Sequence, residues 1–120
     1  MPLYGAPMTG QGPQRLSIGE TITRLTFLPD RTPGLVDEAA TGAFAHLAQY
    51  RDGGIFVGHW AGESEWERHP VGDEIVLVVA GETTITFLTD SGDESALLGA
   101  GELVVVPQGT WHRFHTPEAV

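Results

Sequence analysis

The apolar positions of this chain fall in short runs separated by glycine, proline and small polar residues, and no run holds a helical period for long. Such runs, rich in valine, isoleucine, threonine and phenylalanine, are strand material. Strands are predicted over residues 21–28, 43–49, 55–60, 75–80, 83–88, 95–98, 103–106 and 111–116. The punctuation between the later ones is Gly81-Glu82, Ser91-Gly92-Asp93, Gly99-Ala100-Gly101 and Pro107-Gln108-Gly109. The first strand, Thr21 to Leu28, ends at Pro29-Asp30-Arg31-Thr32-Pro33-Gly34, a dense turn signal. Leu35 to Thr41 has room for a single helical turn before Gly42 stops it. Residues 1–17, with repeated Gly, Pro, Gln and Thr, read as a flexible amino-terminal arm, leaving 18–120 as the folded domain. Many punctuated strands with hardly a helix predict an all-β sandwich or barrel.

Composition narrows the chemistry. At 120 residues the chain supports one domain with a real core. Sixteen acids against six basic residues give a net charge of −10, and every basic residue is arginine. Nucleic acid and anionic membrane surfaces are therefore not expected as partners. The absence of lysine excludes Schiff-base catalysis, and the absence of cysteine excludes thiolate nucleophiles, thiolate ligands and disulfides. With neither a secretion-type leader nor an apolar run near the ~20 residues a membrane helix needs, the default location is the cytoplasm.

The most informative stretch is Trp66-Glu67-Arg68-His69-Pro70-Val71-Gly72-Asp73-Glu74. On a strand, side chains alternate faces, so Glu67 and His69 point the same way. The Pro70–Gly72 turn reverses the chain and returns Glu74 opposite that pair. Behind the Pro107-Gln108-Gly109 turn, His112 supplies a fourth donor from a distant strand. Glu67, His69, Glu74 and His112 are thus the candidate metal ligands. Asp73 alternates away from them and reads as a turn acid.

Here the chain resembles the cupin superfamily, in particular its small single-domain bacterial members. The family's first motif reads Gly-x5-His-x-His, three or four residues, Glu, six residues and Gly; His69, Glu74 and Gly81 fall at those places. The second reads Gly-x5-Pro-x-Gly-x2-His-x3-Asn, and Gly101, Pro107, Gly109 and His112 match it. Three positions depart. Glu67 stands where the family has its first histidine, Ala61 where it has the opening glycine, with Gly62 adjacent, and Thr116 where it has the closing asparagine. The resemblance implies a single double-stranded β-helix, the jelly-roll barrel of the cupins, with a metal site of three histidines and one glutamate in which Glu67 replaces a histidine. The family's barrel continues with a further strand after the second motif. The Thr21–Leu28 strand is therefore expected to cover the open edge, within one subunit or by exchange in a homodimer.

Two imidazoles and two carboxylates favour a divalent first-row ion, with manganese, iron, nickel and zinc all open. Two carboxylates would neutralise that ion, which turns expectation from metal-hydroxide hydrolysis toward coordination of a compact, oxygen-bearing small molecule. Two classes follow: a metal-dependent oxygenase or isomerase/lyase, or a non-catalytic barrel that carries or senses a small ligand, with or without metal. Among the remaining polar residues, His59 and His115 are expected at the surface, His46 has no clean register, and Arg68 and Arg113 are expected to form outward ion pairs. Trp60, Trp66, Trp111, Phe87 and Phe114 are core or pocket wall, with Phe114 in phase with His112.

Overall fold

The computed structural model describes residues 12–120. Most of the expected arm, residues 1–11, lies outside the described residues, and residues 12–17 form no regular element. The described elements are α1 (Ile18–Arg24), β1 (Leu28–Arg31), α2 (Glu38–Gly42), β2 (Phe44–Tyr50), β3 (Gly53–Gly58), β4 (Trp60–Glu63), β5 (Glu74–Leu77), β6 (Glu82–Thr89), β7 (Gly92–Gly99), β8 (Leu103–Val106) and β9 (His112–Thr116). The fold is all-β, as the strand rhythm predicts.

Five strands form one sheet in the order β1-β4-β9-β6-β7, while β5 pairs with β8 and β2 with β3 in two-stranded sheets. The large sheet and the β5–β8 pair face each other across the core. Ile85 of β6 and Leu98 of β7 come from one layer, Val106 of β8 and Val78 from the other, and all four are buried in one cluster. Alternation does this sorting. Along β5 and β8 the inward set includes Val76, Val104 and Val106, and the outward set is Ile75, Leu77, Leu103 and Val105. A second cluster of Leu28, Ala43 and Trp60 closes the end from which β1 and the β2–β3 hairpin leave.

One predicted strand is wrong. Residues 18–24 are helical where Thr21–Leu28 is expected extended, because the Ser17 side chain accepts the Glu20 N–H at 3.1 Å and caps the helix. Glu20 in the first turn and Arg24 in the last complement the helix dipole, and these local terms outweigh the β preference of Ile and Thr. The Ser-x-x-Glu spacing at Ser17 is the sequence signal for this helix. Strand β1 instead starts at Leu28 and runs through Pro29 into the expected turn, pairing in parallel with β4. As the edge strand of its sheet it tolerates proline. The open edge is thus covered by residues 28–31, not 21–28. The strand expected over 55–60 divides at His59 into β3 and β4, while the helical turn before Gly42 appears as α2.

Glycine is required where chains approach closely. Gly62, at φ +114°, pairs with Arg31, and a Cβ there would overlap the Arg31 backbone. Gly81, at φ +77°, turns the chain into β6 where a Cβ would strike the Ala119 carbonyl. Residue 120 then pairs with Trp60, its N–H and C=O each 3.0 Å from their Trp60 partners.

Candidate metal centre

Two turns build the site. Asp73 Oδ1 accepts the Gln108 N–H at 2.8 Å, Gln108 Nε2 donates to the Pro70 carbonyl at 2.6 Å, and the Gly109 N–H donates to the His69 carbonyl at 3.0 Å. The turn of the first motif is thereby clamped to the turn of the second. Asp73 is the turn acid that alternation predicts, and its work is to hold the two halves of the site in register. Glu67 joins from the other side, forming a two-hydrogen-bond bridge with His112, at 2.8 and 2.9 Å, through their backbones.

Three of the four expected donors cluster, and the fourth, Glu74, touches two of them. Glu67, His69 and His112 each offer an atom within 4.8 Å of the others. Glu74 reaches both histidines, Oε1 lying 3.0 Å from His112 Nε2 and Oε2 lying 3.1 Å from His69 Nε2. Glu67 Oε2 is 3.7 Å from His112 Nε2. Donors bound to one first-row ion at about 2.1 Å stand roughly 3.0–3.4 Å apart, the range these separations approach.

The decisive detail lies in His112. Its side chain is fully buried, and its Nδ1 lies 3.0 Å from the Thr110 carbonyl, a contact that requires the proton on Nδ1 in the neutral ring. Nε2 then carries a lone pair. Neither His112 Nε2 nor Glu74 Oε1 has a hydrogen-bond partner, although both are buried. Two acceptors facing each other at 3.0 Å are unfavourable unless a proton or a cation lies between them, since unsatisfied buried polar atoms cost about 1–3 kcal/mol each. The donor set therefore fits a divalent ion, with Thr110 acting as the outer partner that orients a ligating histidine.

Without an ion, the electrostatics favour a proton in the same place. Burial lowers the basicity of His112, but Glu74, the Thr110 carbonyl and Glu67 together hold its pKa above the usual 6.5. Burial pushes Glu67 above the ordinary carboxylate range, against the pull of Arg31. Phe114 packs edge-on to both His112, at 5.9 Å between ring centres, and Trp60, at 6.2 Å, and so forms the apolar floor beneath the histidine.

Arg31 is the neighbour that sequence reasoning misses. Placed by the pattern in a turn, it instead ends β1 and reaches Glu67 Oε1 at 3.4 Å. Its guanidinium lies over the rings of Trp60, at 4.4 Å, and Phe44, at 5.1 Å. No local motif announces it. The other polar residues lie away from the centre. His115 is exposed beside Glu63 as expected, His46 is exposed against Phe56, and His59 is half-buried against Phe27. Arg68 and Arg113 stack on Trp111 and Trp66, and neither forms an ion pair among the described residues, which corrects their expected role. Aromatic faces stand where acids were expected.

Residues 58–120, more than half of the chain, match the family model described as a cupin domain, and the chain belongs to the cupin family. It is also similar to the uncharacterized protein YdbB of Bacillus subtilis (strain 168), 33% identical over 67 residues, which are 56% of this chain and 57% of that protein. The match thus spans little more than half the length of that relative. No solved structure matches the chain. No helix among the described residues is long and apolar enough to cross a membrane.

Proposed function

We propose that this cupin binds a divalent first-row metal ion through Glu67, His69, Glu74 and His112, and presents it to a compact, oxygen-bearing small molecule. The observation that carries the reading is the buried, partnerless pair of His112 Nε2 and Glu74 Oε1. When bound, the ion supplies Lewis acidity and open positions. The chain's own residues do the rest: Thr110 sets the His112 tautomer, the Asp73–Gln108 clamp holds the turns, and Phe114 keeps water from the floor. Oxygenase and isomerase/lyase chemistry both use such a centre, and carriage or sensing of the same molecule uses it without turnover. Calorimetric binding and oxygen-uptake assays of the metal-loaded protein, with a panel of enols, diketones and phenols, test the reading. Saturable, metal-dependent binding by at least one class supports it, with oxygen consumption marking an oxygenase; binding that is the same after chelation refutes it.

The proposed assembly is a homodimer. Ile75, Leu77, Leu103 and Val105 form an outward apolar face between 49% and 69% exposed, and Tyr50, Ile55 and Phe56 of the β2–β3 hairpin are similarly bare. Together these side chains expose on the order of 800 Å² of apolar surface, about what one partner of a standard interface buries. A second copy, reciprocating hairpin and face, is the occupant that fits a chain of net charge −10, because the face itself carries no charge to repel its twin.

A further inference from the structure

Charge counting around the metal centre gives a different sum once Arg31 is included. A divalent ion with two carboxylates and two neutral imidazoles is neutral overall, and a neutral centre has little pull on an anion. Arg31 changes that. Its side chain is only 13% exposed, held between Trp60 and Phe44, and it pairs with the one Glu67 oxygen that faces away from His112. Gly62 permits the close approach of β1 to β4 at the residue that carries this guanidinium. Glu65 also lies near Arg31, at 3.8 Å, but its side chain is 45% exposed, so water screens that charge far more than it screens Glu67.

We propose that Arg31 cancels the charge of Glu67, so that the Glu67–Arg31 pair enters the centre as an electrically neutral donor in the place of the family's first histidine. The loaded centre then keeps one net positive charge and selects monoanionic ligands, a carboxylate or an enolate, over neutral ones. This rests on the metal reading above. Arg31 touches neither the ion nor the ligand; it is a positioning residue that sets the charge of a ligand it grips. The same arithmetic predicts a loss of metal affinity when Glu67 is exchanged alone. A histidine at 67 would leave Arg31 with only the more exposed Glu65 to offset its charge beside the ion.

The test uses the cobalt-loaded full chain, with azide as the anionic probe and imidazole as the neutral one, both followed by the visible cobalt spectrum. Arg31→Met should weaken azide about tenfold and leave imidazole within about twofold, the scale of removing one nearby charge in a partly buried site. Arg31→Lys should restore azide. Glu67→His should bind cobalt about tenfold more weakly, and the double variant Glu67→His with Arg31→Met should recover wild-type affinity for both cobalt and azide, since it exchanges one neutral donor for another. If Arg31 only packs the core, azide and imidazole affinities move together or not at all, and Lys rescues nothing; that overturns the proposal while leaving the metal centre standing. Should Arg31→Met fail to fold, the double variant and Arg31→Lys decide the matter on the same readouts. A wild-type chain that takes up no cobalt removes the metal reading and this inference with it.

Discussion

Asp73 accepts the backbone amide of Gln108 at 2.8 Å, and that bond ties the turn carrying His69 and Glu74 to the turn that leads into His112. The ligands of the centre come from segments about forty residues apart, so their geometry depends on such cross-turn bonds more than on either motif alone.

Asp73→Ala should therefore lower metal affinity roughly tenfold, the loss usual for an outer partner, although Asp73 touches no ligand atom. Stability of the metal-free protein should fall by only about 1 kcal/mol, because the lost bond is exposed. Isothermal titration with the metal and urea denaturation with chelator measure the two effects separately.

Protonation should set metal binding and folding against each other. His112 has a folded-state pKa raised above 6.5, so the stability it contributes to the metal-free protein is fully present below 6.5 and is lost as pH rises through the folded value. Glu67, also raised, acts in the same direction from 4.5 upward. A metal requires both groups deprotonated. Melting temperatures with chelator should fall as pH climbs past 6.5, while metal affinity climbs over the same interval. Parallel pH series with and without metal check it, and two curves sloping the same way would count against the site.

Leu103→Glu and Phe56→Glu should each give a folded monomer. They place a charge on opposite halves of the proposed reciprocal interface, at residues 55% and 67% exposed in the single chain, so the fold itself has little to lose. Light scattering of the wild type at micromolar concentration should report twice the chain mass. A monomeric wild type would overturn the proposed dimer.

Much of this site is legible in the amino-acid sequence, and the reason is local. Strand alternation and turn chemistry act over a few residues, so the placement of Glu67, His69, Glu74 and His112 follows from spacing and from the cupin motifs. Strands β5 to β9 fall within a few residues of their expected positions for the same cause. What the sequence hides is governed by competition or by distance. Residues 21–24 carry β-prone side chains, yet the Ser17 cap and a charge pattern suited to the helix dipole decide the outcome. Arg31 lies in sequence among turn formers and becomes part of the site only through parallel pairing of β1 with β4, a long-range event with no local signature. The stacking of Arg68 and Arg113 on tryptophans is equally invisible, since it depends on which residues oppose each other across strands and turns.

The central claim is that the buried lone pairs of His112 Nε2 and Glu74 Oε1 hold a metal ion, and the most direct measurement is metal content per chain by elemental analysis. Wild type, Glu67→Gln, Glu74→Gln and His112→Ala should be purified without added metal, then exchanged against equimolar zinc, nickel, manganese and iron. The account predicts about one ion per chain in the wild type, as for a single mononuclear site. Occupancy should be reduced in Glu67→Gln, where Arg31 loses its less exposed acid partner beside the ion, and be near zero in Glu74→Gln and His112→Ala, all four chains remaining folded by circular dichroism. Equal metal content in the wild type and His112→Ala, or none in any of them, would contradict it.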